Sequence, residues 1–226
     1  MSPSPLSISP ALLARTFLRS TLSDIIPLTA EGVKSGCKVF GAGVYSRETE
    51  ATEGGERLKA VTVGTNTETE SPLLHGEITV IQQFYRLPRE SRPEAKDTVF
   101  FATHEPCSLC LSGITWGGFP EFYYLFTYED TRDAFSIPHD IRILEEVFKV
   151  PSTCSHETPS QLAARPLYNR QNAFFSSASV AELIARVEDE MERKELEELV
   201  VKVKEVYNGL SEVYQGGKGA AGIPLA

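Results

Sequence analysis

His75-Gly76-Glu77 and Pro106-Cys107-Ser108-Leu109-Cys110 are the residues of this chain whose types and spacing can do chemistry. One imidazole and two thiolates form a zinc set, and three protein ligands leave the fourth tetrahedral position open to water. The expectation is one Zn2+ per chain, held by His75, Cys107 and Cys110. Zinc binds thiolate, and a helix N-terminus lowers a cysteine's pKa before the metal lowers it further. Cys107 follows a proline at a predicted helix start, and Cys110 turns its sulfur to the same side. Two thiolates balance the dication around a neutral imidazole. Water in the open position then loses its proton near neutral pH, against about 15.7 in bulk. The hydroxide can attack an sp2 ring carbon that carries an amine. The adjacent ring nitrogen must gain a proton, and the amine must leave as ammonia. Glu77, on the same helical turn as His75, is the carboxyl best placed to carry both protons as general acid and base.

A closed alternative exists. His104 precedes Cys107 by one turn's spacing and could complete an inert Cys2His2 site. The open set is preferred, because a structural site seldom places a helix-borne His-x-Glu opposite a Cys-x-x-Cys. His139 and His156 carry no ligand spacing and read as surface or loop residues.

The rest of the composition narrows the class. The chain has 226 residues, 41% hydrophobic and 23% charged, as ordinary globular domains have. A net charge of −9 weighs against a large phosphate-binding surface and so against nucleic acid as the partner. No apolar run approaches the ~18 residues of a membrane span, so no membrane is expected. Beyond the Cys-x-x-Cys pair, Cys37 and Cys154 follow no disulfide spacing, which favours a reducing compartment, cytoplasmic or nuclear. The acid-poor start with Arg15 and Arg19 has a weak likeness to a mitochondrial transit peptide, but an amphipathic helix carrying Leu12, Leu13, Phe17 and Leu22 is the preferred reading.

Several elements must position the two motifs. Ser9-Pro10 reads as a cap and first turn of a helix to about Thr21, and a second helix spans Asp24 to Ser35. Cys37–Arg47 and Leu58–Gly64 read as strands joined by a polar hairpin loop at Glu48–Glu56. After a loop from Asn66 to Pro72, His75–Leu87 has helical spacing. A strand at Thr98–Ala102, a helix from Cys107 to Trp116, a strand at Phe122–Thr127, a helix at Asp140–Phe148 and a last strand at Val150–Cys154 follow. Alternation after a hairpin predicts an α/β fold, a mixed five-stranded sheet between helical layers. Ligands gather beyond the carboxyl ends of such strands, so helices starting at His75 and Cys107 can share one point. Residues 1–23 read as an N-terminal helical extension, 24–157 as the zinc domain, 158–215 as an aromatic segment and helices packed on the domain or a partner, and 216–226 as a flexible tail. Ser179-Val180-Ala181-Glu182 is a capping box. The charged helix after it breaks near Arg193, and its stripe Leu196, Leu199, Val203, Val206, Leu210 and Val213 must cover the core or a partner subunit.

The paired motifs, His-x-Glu with Pro-Cys-x-x-Cys, resemble those of the cytidine deaminase-like superfamily over about Ile25 to Cys154. Within it, the run Glu105 to Trp116 is most similar to the guanine and nucleoside deaminase branch, which has Glu-Pro-Cys-x-Met-Cys-Leu-x-Ala-Ile-x-Trp. Here Leu109 stands in the Met position and Gly113 in the Ala position. His75-Gly76-Glu77-Ile78 is similar to the fungal cytosine deaminases, and Phe40-Gly41-Ala42 resembles the first strand of these branches. The resemblance implies the three-layer α-β-α fold with a C-terminal helical extension added. It implies a homodimer or tetramer, and zinc-dependent deamination of a small guanine- or cytosine-type base or nucleoside. It further implies that Asn66 hydrogen-bonds the base and that Gly76 lines the pocket with the backbone of Glu77 and Cys107. Glu105 would sit at the pocket's edge, and Trp116 would line the pocket or pack in the core. Asp133 and Phe135, with His139 and Asp140 nearby, follow the fourth strand where the family places specificity residues. The chain departs from the family after Cys154, where Tyr168, Phe174 and Phe175 form either a lid or a clasp over a hydrophobic edge. Two rivals remain: a tRNA adenosine or cytidine deaminase, and a non-catalytic zinc-containing partner subunit. Retention of Glu77 speaks against the second.

Overall fold

The computed structural model describes residues 8–47, 58–153 and 156–225. The hairpin loop expected at Glu48–Glu56, and Cys154, lie outside the described residues. Ser9 caps α1 (Pro10–Ser20), its Oγ accepting from the Leu12 amide at 3.1 Å. α1 runs on through a π-helical turn (Thr21–Ile25) into α2 (Ile26–Lys34), so the two expected helices are continuous. Pro27 cannot donate a backbone hydrogen bond, and the wider turn lies directly before it. Gly36, at φ 96°, ends the helix in the left-handed conformation that glycine adopts freely.

Five strands form one mixed sheet in the order β2-β1-β3-β4-β5. β1 (Gly41–Arg47) is antiparallel to β2 (Leu58–Thr65) and to β3 (Thr98–His104). β4 (Glu121–Phe126) is parallel to β3, and β5 (Ser176–Ser179) is parallel to β4. Every residue of β3 is buried, as a central strand covered on both faces requires. On one face Ala42, Val44, Phe100, Ala102, Phe122 and Tyr124 pack against α3 (Gly76–Arg86) and α4 (Ser108–Trp116). On the other, Tyr45, Val99 and Phe101 meet α1, α8 (Val180–Ile184) and α9 (Glu190–Gly217). There the Phe17 ring stacks on Phe101 with centroids 4.6 Å apart. This is the expected three-layer α-β-α arrangement.

The strand directions place the site. β1 opposes both β2 and β3, so those two run the same way, and β4 runs with them. Their carboxyl ends share one edge of the sheet. α3 follows β2, α4 follows β3, and α5 (Tyr128–Asp133) and α6 (His139–Ile143) follow β4 from that same edge.

Four expectations need correction. No strand forms at residues 150–153; the fifth strand is Ser176–Ser179. Pro151 has no amide to give a ladder, whereas the Ser-rich run has, and its small side chains fit beside β4. Its polarity hid it from a pattern reading. The charged region breaks at residues 185–189, not at Arg193, which lies inside the continuous α9. The seam of α9 drifts to Leu196, Val203, Tyr207, Ser211 and Tyr214, leaving Val206 and Val213 exposed. The terminal segments share the core, and the last of them departs from the flexible tail expected at residues 216–226. Ile8 through Leu18 share one core with Leu183, Leu196, Val203, Tyr207 and Tyr214. The tail folds back: Ile223 is buried, and Ala221 lies so close to Gly36 that a Cβ there would come within 2.6 Å of it.

Candidate metal centre and active site

His75 is the N-cap of α3, in extended conformation. The next amide, Gly76 N, donates to Asn66 Oδ1 at 2.6 Å. A Cβ on Gly76 would stand 2.9 Å from Gly41 Cα and 3.1 Å from the Phe40 carbonyl oxygen, so only glycine lets the turn sit against β1. Asn66 is tied in turn. Its Nδ2 donates to Glu68 Oε2 at 2.8 Å, and the same oxygen accepts from the Lys38 amide at 2.8 Å. Lys38 Nζ reaches Glu68 Oε1 at 2.7 Å. Both members of this ion pair are buried. Burial alone would raise the Glu68 pKa, but the bonds from Lys38 and Asn66 hold it below the usual carboxylate value.

Cys107 is the N-cap of α4, and Cys110 is fully buried one turn on. His75 Nδ1 lies 3.4 Å from Cys107 Sγ and 3.7 Å from Cys110 Sγ. Ideal tetrahedral Zn–N and Zn–S bonds put such donors about 3.6 Å apart. The three atoms lie within 4.8 Å of one another, and so are placed to bind one metal ion. The donor set is that of a borderline-soft dication with one position left for water. His104 does not join it. Its buried ring packs among Phe40, Phe126, Phe135 and Tyr207, and Nδ1 lies 3.0 Å from Thr103 Oγ1. The closed Cys2His2 alternative therefore falls.

The charges around the donors are strongly coupled. The Cys110 thiol and the nearby His75 hold Cys107 well below the usual thiol range, while burial pushes Cys110 up. Burial works to lower His75, but Cys107 outweighs it and raises the imidazole to about 9. Metal binding displaces such protons, because thiolate and neutral imidazole are the forms that ligate. Glu77, on the first turn of α3, is buried, and burial together with the Cys107 charge pushes its pKa up to about 7. That is where a carboxyl can both accept and give a proton. A second buried carboxyl, Asp140 on the first turn of α6, belongs to the same cluster. Burial and then the Cys107 charge raise it to about 8. The sequence marked its region but gave it no role, for nothing in its spacing shows that α6 turns this residue back toward the metal ligands.

The other expected contacts fall into two groups. Asn66 and Gly76 lie at the metal-bearing turn, with the Asn66 amide occupied by Gly76 and Glu68. Glu105 is buried beside the Cys107 turn, its oxygens accepting from Tyr128 N at 3.2 Å and Tyr168 Oη at 2.9 Å. The remaining three are elsewhere. Trp116 is 91% exposed at the far end of α4. Asp133 is exposed and bonded to Arg132. Phe135 is buried in the ring cluster with His104 and Phe126. Of the C-terminal aromatics, Phe175 packs on Phe122 at 5.0 Å while Phe174 stays exposed, a clasp on the sheet edge. Lys38, Glu68 and Tyr128 escaped the sequence reading; the one local hint is that Glu68 stands two residues after Asn66.

A family model for the cytidine and deoxycytidylate deaminase zinc-binding region matches residues 30–126. No curated protein matches the sequence. Among solved structures, a guanine deaminase from Bacillus subtilis is 25% identical, with 61% of this chain and 78% of that chain covered and a TM-score of 0.44. A guanine deaminase from Nitrosomonas europaea is 15% identical, with 88% of each chain covered and a TM-score of 0.45. A structure from work on A-to-I editing by tRNA:A34 deaminases is 16% identical, with 73% of this chain and 98% of that chain covered and a TM-score of 0.40. No helix among the described residues is long and apolar enough to cross a membrane. Residues 30–126 thus resemble the zinc-binding region of cytidine and deoxycytidylate deaminases, and all three metal-donor residues, His75, Cys107 and Cys110, lie within that match.

Proposed function

We propose that this chain is a zinc-dependent hydrolytic deaminase of a small nucleobase or nucleoside, guanine- or cytosine-type. The observation that carries the reading is a buried Glu77 carboxyl two residues from His75, on the first turn of α3, beside a three-donor His75, Cys107, Cys110 group. Zinc in that group supplies a nucleophile by lowering the pKa of water. Glu77 would take one proton from the water and pass it to the ring nitrogen beside the amine-bearing carbon, then take the second from the hydroxyl that the carbon has gained and give it to the departing amine, leaving a carbonyl and ammonia. Asp140 offers a second buried carboxyl to the ring's N–H groups. The Gly76 turn lets the backbone approach the ring closely, and Asn66 orients that turn.

The test is ammonia release from the zinc-loaded protein over guanine, cytosine, adenine, their nucleosides and an unmodified tRNA. Turnover of a free base or nucleoside is expected. Turnover of tRNA alone would replace the substrate class. No release from any of them, with zinc bound, would favour a non-catalytic partner. Glu77→Ala is expected to keep zinc and lose about 10²–10⁴-fold in kcat, the usual worth of a positioned acid and base. Near-parent activity in that variant would remove Glu77 from its role.

A further inference from the structure

Residues 165–179, far along the chain from the ligands, are bonded to the metal-bearing turn. Tyr168 donates its hydroxyl to Glu105 Oε1 at 2.9 Å. The other oxygen of Glu105 accepts from the Tyr128 amide at 3.2 Å. Tyr128 then returns its own hydroxyl to the carbonyl oxygen of Pro106, the residue before ligand Cys107. The Tyr128 and Tyr168 rings meet edge to face with centroids 6.3 Å apart. The Glu105 amide donates to Phe126 O at 2.8 Å, which fixes the start of the turn to β4. β5 pairs with that same strand and carries Ser177, whose hydroxyl lies 3.4 Å from Tyr168 Oη.

Cys107 has no side-chain cap bond of its own at the start of α4. Its sulfur is aimed by the backbone of the Pro106–Cys107 peptide, and the bond from Tyr128 is what fixes that carbonyl. We propose that Tyr168, acting through Glu105 and Tyr128, is a positioning residue for the Cys107 ligand, so that the C-terminal segment sets the geometry of the metal group. Partners that orient metal ligands in this way are typically worth about 10–100-fold in metal affinity. The proposal rests on the metal group and not on the deamination reading, so activity is not its measure.

Zn2+ affinity is measured by competition with a chromophoric chelator, and ligand geometry by the visible bands of the Co2+-loaded protein. Tyr168→Phe keeps the ring and removes one hydroxyl; Tyr128→Phe does the same beside Pro106. Each is expected to bind Zn2+ about 10–100-fold more weakly and to shift the Co2+ bands. Phe174→Ala, on the same segment but exposed, is expected to change neither. In a Glu105→Ala background the effect of Tyr168→Phe should vanish, because the relay is already cut. Zn2+ affinities within twofold of the parent and superimposable Co2+ spectra in both Phe variants would overturn the proposal. A lowered Tm with an unmoved Co2+ spectrum would also overturn it, since that is support without positioning. If Tyr168→Phe does not fold, Tyr128→Phe decides by the same two readings.

Discussion

The two helix starts that bear the metal ligands are held in opposite ways. Beneath His75 lies charge: Asn66 grips the Gly76 amide, and a buried Lys38–Glu68 pair grips Asn66. Beneath Cys107 lies a largely aromatic support: Tyr128 and Tyr168 bond Glu105, and His104, the last residue of β3 before that turn, is packed among rings. The charged support is assembled from residues 38 to 76, within one hairpin and its following turn. The aromatic one draws on residues as distant as 168 and 207. One end of the site is thus set by local chain, and the other by contacts from the C-terminal third. Long-range contacts of this kind form late, because loop closure must come first.

Removing one member of the charged pair should have the largest effect on stability. Glu68→Ala leaves an ammonium buried without a partner, and such breaks cost about 3–5 kcal/mol. Replacing both members, Lys38→Met with Glu68→Met, should recover most of that loss, because apolar isosteres avoid the desolvation penalty. Urea unfolding of the single and double variants checks both. Equal losses in the two would mean that the pair is stabilising as a charge pair and not merely self-compensating.

The two supports should also fail in different pH windows. Burial holds the His104 pKa down at about 3, so from about 6.5 to 3 the unfolded chain binds a proton that the native chain refuses. Stability therefore falls as pH drops through that window, by about 2 kcal/mol at pH 5. Glu68 is shifted the other way, below its usual value. Its contribution is present above the unfolded carboxylate pKa and is lost only as pH falls through the lower folded one. His104→Phe should flatten the upper part of the pH–stability curve and leave the acid limb, whereas the Lys38→Met, Glu68→Met pair should do the reverse. Curves for both, from urea midpoints between about pH 2 and 7, would show whether the windows separate. A His104→Phe curve parallel to the parent would remove the imidazole from that role.

The same contrast explains what the sequence discloses. His75, Glu77, Cys107 and Cys110 are recognisable because ligand chemistry fixes both residue type and spacing. α3 and α4 are recognisable because their periodicity and caps are local. β5 is not, because Ser176-Ser177-Ala178-Ser179 carries no strand composition and is held by its partner β4. Tyr168 is not, because its partner Glu105 lies 63 residues away. Trp116, Asp133 and Phe135 carried roles only through likeness to other chains, and the backbone here turns each of them elsewhere.

The smallest effect should come from the opposite end of the Cys107 helix. Trp116 lies about 13 Å along α4 from Cys107, at 1.5 Å per residue, and its ring is almost wholly exposed. Inward of it, Gly113 packs so tightly that a Cβ would come within 2.7 Å of Ile78 Cδ1. One face of α4 is thus close-packed on α3, and the other carries Leu109, Ser112 and Trp116 outward. Trp116→Ala should change stability by less than about 0.5 kcal/mol and leave Zn2+ affinity unaltered, as exposed substitutions usually do. Gly113→Leu, by contrast, should separate α3 from α4 and weaken Zn2+ binding, because the two ligand turns ride on those helices. A tenfold rise in KM in Trp116→Ala with Zn2+ affinity intact would show that this ring meets substrate after all, and since it points away from its own metal ligands, it would do so across a contact with a second copy of the chain.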